Sequence, residues 1–191
     1  MDGITIALLV IVGLVVVVLL AGIALYNTLV ARRQQAEEGW SGIDVQLKRR
    51  VNLIPNLVET VKGYATHERE LLERITESRA RAEHAAASGA PVERAAAESD
   101  MSAGLIRLFA VAENYPELKA NENFVQLQAS LEEIETQIQM ARRYYNGAAR
   151  NLNTQIGQFP ANIVAGMYGF VPVNYFEIED ARDRALPDVK F

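Results

Sequence analysis

There is no cysteine in the 191 residues. That absence excludes a disulfide, a thiolate nucleophile, a cysteine-type zinc site and a lipid-modified cysteine left after processing. Histidine is scarce: His67 and His84 stand seventeen apart, and only Glu70 lies at helical spacing from His67, too few ligands for a metal that needs three or four. Nineteen basic and twenty-three acidic residues follow residue 31, so the charged part of the chain lacks the basic excess a nucleic-acid partner wants. Gly and Pro are sparse, with no Gly/Ser-rich or Pro-rich linker and no internal repeat. A phosphate loop, a dinucleotide fingerprint and a nucleophile elbow are all missing.

Charge is also missing from residues 4 to 26, ITIALLVIVGLVVVVLLAGIALY, and so is proline. As a helix this stretch reaches roughly 34 Å, enough to cross a hydrocarbon core of about 30 Å. A cleaved signal peptide needs a basic n-region and a shorter apolar core, and only Met1, Asp2 and Gly3 precede the run, so a retained transmembrane anchor is expected. The first basic residues, Arg32 and Arg33, follow it. The positive-inside rule then puts the N-terminus outside and residues 32–191 in the cytoplasm, with Tyr26, Arg32 and Arg33 at the membrane interface. Trp40 is the weaker interfacial candidate, about 21 Å further along a continuous helix.

Beyond the anchor, apolar residues recur at spacings of four and three: Leu47, Val51, Ile54, Val58, Val61, Ala65, then Leu72 and Ile75. This heptad seam is coiled-coil-like and predicts one long helix ending near Ala86, bent at Pro55, with Gly39 and Gly42 as weak points before it. The Ser88-Gly89-Ala90-Pro91 run turns the chain. A helix follows from Pro91 through Ala112, with Met101, Leu105, Leu108 and Ala112 on one face. Pro116 opens the longest helix, whose seam runs Phe124, Leu127, Leu131, Ile134, Ile138, Ala141, Tyr145, Ala148, Leu152, Ile156 and Phe159. Pro160 stops it. A short helix, Ala161 to Tyr168, and an extended tail with a strand-like Tyr175–Ile178 segment complete the reading. Six of the fourteen aromatics lie from Phe159 onward, and they must bury against the bundle or against another subunit.

Most polar clusters read as helix surface. Glu132, Glu133 and Glu135 lie between seam positions, as a solvated face would, and Lys48, Arg49 and Arg50 read as surface charges paired with acids of a neighbouring helix. Asn121 and Asn123, either side of Glu122, are poor helix formers, and the cluster suits a cap on another helix's end, or else a partner contact that Asn56 beside Pro55 could join. Arg142, Arg143, Tyr144, Tyr145 and Asn146 combine the residue types favoured at interfaces, and Tyr175 and Phe176 are the tail's candidates for the same role.

The runs IDVQLKRRVNLIPNLVETVKGYATHE (Ile43–Glu68), YPELKANENFVQLQ (Tyr115–Gln128), ARRYYN (Ala141–Asn146) and FPANIVAGMYGF (Phe159–Phe170) together resemble the LemA family. Val51 departs from the aromatic expected at that seam position. The resemblance implies a bacterial membrane protein with a cytoplasmic antiparallel helical bundle and no established reaction. The expected fold is all-α: one N-terminal transmembrane helix (residues 1–31), then a cytoplasmic bundle of long helices (32–191) with a short C-terminal helix and aromatic tail. Two functions are compatible. One is a non-enzymatic, single-pass scaffold that self-associates at the inner membrane as a homo-oligomer, organising or shaping it. The other is an adaptor in which the Asn121–Asn123 patch, with Arg142 and Arg143, recruits a peptide or membrane-protease partner. Neither calls for a catalytic residue, a metal or a cofactor, and neither involves nucleic acid.

Overall fold

The computed structural model describes residues 2–65, 67–88 and 91–176. Among these, the regular elements are six helices and no strand: α1 (Gly3–Lys62), α2 (Arg69–Ser88), α3 (Pro91–Ala112), α4 (Pro116–Lys119), α5 (Glu122–Gly157) and α6 (Ala161–Tyr168). The chain forms two compact units. The first takes the chain up to Gly39 with Tyr144–Asn174, and the second takes Trp40–Arg143 with Tyr175 and Phe176.

Within the second unit, the pairings fix an up-down-up-down bundle. Arg50 of α1 meets Glu135 of α5, while Tyr64 meets Asn121, so these two helices run antiparallel. Asp44 pairs with Arg94 and Arg50 with Glu98, so α3 runs parallel to α1. Arg81 meets Asp100 and Ile75 sits against Gly104, which makes α2 antiparallel to α3. Ile54, Leu57, Val61, Ile75, Met101, Leu108, Leu118 and Phe124 form the buried centre. Phe109 and Phe124 meet edge to face at 6.1 Å, a preferred aromatic geometry.

The expected helix boundaries hold at α3 and α6 and need correction elsewhere. As expected, α1 runs on through Pro55, which lies exposed, but it does not continue to Ala86. The break falls instead after Lys62, where Gly63, a poor helix former, opens a turn closed by Tyr64 and Ala65 N–H groups on the Val61 carbonyl. What the seam presented as one helix to Ala86 is therefore two, α1 and α2. Within α1, Leu57 rather than the seam residue Val58 is fully buried. The long helix expected from Pro116 also divides. The single turn α4 ends at Lys119, and α5 starts after Asn121, whose side-chain Oδ1 accepts the N–H of Phe124 at 3.0 Å as an N-cap does. At the far end α5 stops at Gly157, so Phe159 leaves the seam and is 80% exposed. The described part of the expected strand, Tyr175 and Phe176, has no regular structure, and Ile178 lies outside the described residues.

In the first unit, the approach of α1 and α5 depends on small residues. Ala36 packs with Ala148 and Leu152, flanked by Ile156 and Val173. A Cβ on Gly39 would lie 2.9 Å from the Tyr145 Cα and 3.1 Å from a Tyr144 ring carbon, so only glycine fits there. After α6, Gly169 takes a left-handed conformation (φ 71°) and Phe170 N–H bonds the Ala165 carbonyl, turning the tail back. Asn153 then holds the tail through both amide atoms, accepting from Val173 N–H and donating to its carbonyl, each at 2.9 Å. Tyr145 donates its hydroxyl proton to the Asn174 carbonyl at 2.6 Å.

Candidate functional site

The first third of α1 contains the helix's distinctive surface. Its most apolar window has a mean hydropathy of 3.4 and none of it is buried by the rest of the chain, so this helix is long and apolar enough to cross a membrane. The first α1 residues to lose exposure are Gly22 and Leu25, at the C-terminal end of the uncharged stretch. Tyr26 there meets Tyr168 at 4.7 Å between ring centroids and Phe170 at 5.8 Å. Arg33 places its guanidinium 5.5 Å from the Phe170 ring and lies near Glu37, while Arg32 bonds Gln35. The three expected interface residues therefore follow one another along α1, and two of them share the ring of Phe170.

In the second unit, the polar positions singled out from sequence separate into distinct places. Asn121 is held on both sides, accepting from Phe124 N–H and donating to the Tyr64 hydroxyl at 3.0 Å, so it caps its own helix rather than the end of another. Glu122 is the exposed first residue of α5. Asn123 and Asn56 line one open groove of about 450 Å³ with Glu59, Thr60, Gln126 and Ser130. Arg142 and Arg143 lie about 30 Å further along α5, too far to form a single patch with Asn121. Arg143 is exposed, whereas Arg142 is partly buried over the Phe176 ring at 5.7 Å. Burial lowers the Arg142 pKa, and the charge of Glu135 opposes that shift.

Phe176 is wholly buried, edge to face with Trp40 at 5.7 Å, and Arg94 stacks on the same indole at 5.9 Å. The ring is thus part of this unit's own packing and offers no surface to another chain. Tyr175 keeps 39% of its area exposed. In the first unit Tyr145 is buried, and burial raises its phenol pKa.

One cluster differs from its expected surface role. Arg50 is buried, ion-paired with Glu98 and with Glu135 at 2.9 Å, and bonded to Ser102 at 3.0 Å. Arg94, also buried, pairs with Asp44. Lys48 and Arg49 stay on the surface with Asp44 and Gln46. The pattern was there to be read: Ile43, Leu47, Arg50, Ile54, Leu57 and Val61 step by four and three, as do Arg94, Glu98, Met101, Leu105 and Leu108. Complementary charges on two seams mark facing helices. Among the described residues, no group of three or more His, Asp or Glu could hold a metal ion.

Comparison with known proteins places this architecture. The sequence model of the LemA family matches residues 39–191. The chain belongs to the LemA family. Similar proteins include Magnetosome protein MamQ 2 of Paramagnetospirillum magneticum, 29% identical over 94% of this chain and 75% of the relative. Magnetosome protein MamQ of Magnetospirillum gryphiswaldense is 25% identical over 84% of this chain and 68% of its own length. Protein LemA of Metamycoplasma hominis is 26% identical over 81% and 69%. The LemA match begins at Gly39, after the apolar segment, whereas the alignment to MamQ 2 extends over nearly the whole chain.

Proposed function

We propose that this LemA-family chain is a non-enzymatic, single-pass scaffold that spans the bacterial inner membrane and self-associates there as a homo-oligomer. The observation that carries the reading is the unburied apolar segment of α1, continuous with a helix that goes on into a bundle held by its own core and ion pairs. Arg32 and Arg33 directly after the segment favour an external N-terminus and a cytoplasmic remainder. The magnetosome names of two relatives support work at a membrane. The buried acid Glu98 and the partly exposed Asp44 and Glu135 hold arginines between helices, so these carboxylates serve the bundle's own packing.

The test is the mass of the full chain in mild detergent over a range of protein concentrations, with cross-linking in native membranes. A particle of several chains supports the scaffold; a monomer at every concentration, without cross-linked species, removes it. Because Phe176 is buried within its unit, the tail's contribution to assembly is probed at Tyr175 alone.

A second reading, an adaptor for a peptide or membrane-protease partner, draws on the polar groove between Asn56 and Asn123. It demands a heterologous ligand. Recovery of this protein alone from native membranes, with Asn123→Ala making no difference, counts against it.

A further inference from the structure

Helix α6 and its flanks present an apolar ridge that the fold leaves uncovered. Phe159, Ile163, Met167 and Val171 recur every four residues and are 80%, 55%, 75% and 70% exposed, while Ala161 and Ala165 on the other side of the helix are buried. From Asn151 to Phe176 no residue is charged. Four large apolar side chains in an uncharged run are a costly surface to leave in water, and exposed apolar patches of this kind mark contact sites.

Three observations within the same unit identify what covers the ridge. Tyr168, at the end of α6, packs its ring at a tilt on Tyr26, which ends the apolar stretch of α1 six residues before its first charge, Arg32. Packing on α1 begins at Gly22 and Leu25, with Gly22 about 6 Å before Tyr26 along the helix. Tyr26, Tyr168 and Phe170 form an aromatic cluster with the Arg33 guanidinium over its outermost ring, the combination that occupies the headgroup level of a bilayer. We infer that α6 is a membrane-surface element: its Phe159, Ile163, Met167 and Val171 ridge is seated in the boundary between headgroups and acyl chains, beside the point where α1 leaves the bilayer. A depth of about 5–10 Å is the usual seating of an apolar helix face in that boundary. The ridge gives the anchor a second, lateral attachment, so that the membrane grips the chain at two places far apart in sequence. This inference rests on the spanning role proposed for α1.

Because the chain lacks cysteine, one introduced cysteine gives a unique probe. The full chain carrying Val16→Cys, Ile163→Cys, Met167→Cys or Arg150→Cys is labelled with an environment-sensitive fluorophore. It is then reconstituted into phosphatidylethanolamine/phosphatidylglycerol vesicles containing lipids with a nitroxide at the headgroup or deep in the acyl chain. The expected result is deep quenching at position 16, shallow quenching with a blue-shifted emission at 163 and 167, and no quenching at 150. Quenching at 16 with none at 163 and 167 overturns the inference and leaves the spanning role standing. A blue shift at 163 and 167 without lipid quenching overturns it in favour of a protein–protein contact. No quenching at 16 removes the spanning role and this inference with it. The substituted side chains at 163 and 167 are exposed, and the two sites report independently, so a folding defect in one variant leaves the other to decide.

Discussion

The guanidinium of Arg50 and the carboxylate of Glu98 form an ion pair whose side chains are 2% and 1% exposed. Charges so buried have lost their hydration, and only the partner and its hydrogen bonds offset the loss. Removing one partner strands the other. Glu98→Ala is expected to destabilise the chain by about 3–5 kcal/mol, and Arg50→Met by a similar amount. The double variant Arg50→Met with Glu98→Ala is expected to cost well below the sum, since no buried charge remains unpaired and the half-exposed Glu135 is left to solvent. Thermal unfolding followed by circular dichroism on the detergent-solubilised chain gives the comparison; additive losses would show that the two groups act independently.

Gly39 and Gly42 make a paired test of close packing. Alanine is the better helix former by about 0.8–1 kcal/mol, so Gly→Ala in an open helix position stabilises. Around Gly42 nothing lies within 4 Å of the added methyl, and Gly42→Ala is expected to raise the melting temperature. At Gly39 the methyl would meet Tyr145 backbone at 2.9 Å, and the helices must separate to admit it. An overpacking cost of about 1–3 kcal/mol exceeds the propensity gain, so Gly39→Ala is expected to lower the melting temperature. Equal shifts for the two variants would contradict the close approach.

The period of the apolar residues carried most of the helical content into view, since a seam such as Leu131, Ile134, Ile138 commits a helix to one buried face. Boundaries were harder. The seam keeps its phase from Val61 through Ala65 to Leu72, yet a reversal lies between them, because Ala65 stays buried in the turn as it would on a helix. Asn121 was legible as a cap, but its helix was misplaced, because Pro116 is an equally good first-turn residue and opens only the four-residue α4. The Arg50–Glu98 pair was hidden by adjacency: Arg50 stands beside Lys48 and Arg49 in sequence, while helix geometry turns Arg50 alone to the core. Nothing in the periodicity of residues 159–171 distinguished an exposed ridge from a buried one, since burial there depends on which face α6 turns to Tyr26.

Asp44 links stability to acid pH. Partial burial pushes its pKa up, but hydrogen bonds from Lys48 and Arg94 and the charge of both outweigh that, leaving it below its usual 3.8. A carboxylate whose folded pKa is depressed contributes stability that is present above the unfolded value and disappears as pH falls through the folded one. The wild-type melting temperature is therefore expected to fall on acidification below about pH 4. Asp44→Asn forfeits the contribution already at neutral pH and should show a shallower decline over the same range. An identical acid profile for both proteins would mean that other carboxylates control the loss.

Asn121 separates a capping role from a recognition role. Its Oδ1 accepts the Phe124 N–H, and its Nδ2 donates to Tyr64, each at 3.0 Å. Loss of an N-cap costs about 1 kcal/mol, so Asn121→Ala is expected to lower stability by that order. Asn121→Asp keeps the acceptor on Phe124, adds a charge favoured at the start of α5, and should recover most of the loss. A partner contact through the amide would behave differently: aspartate removes the donor and would impair capture as fully as alanine does. Melting temperature and partner recovery, measured on the same two variants, thus move together with alanine and apart with aspartate only if the amide serves both purposes. For a cap alone, neither substitution changes what the chain recovers from membranes, and only the alanine variant melts early.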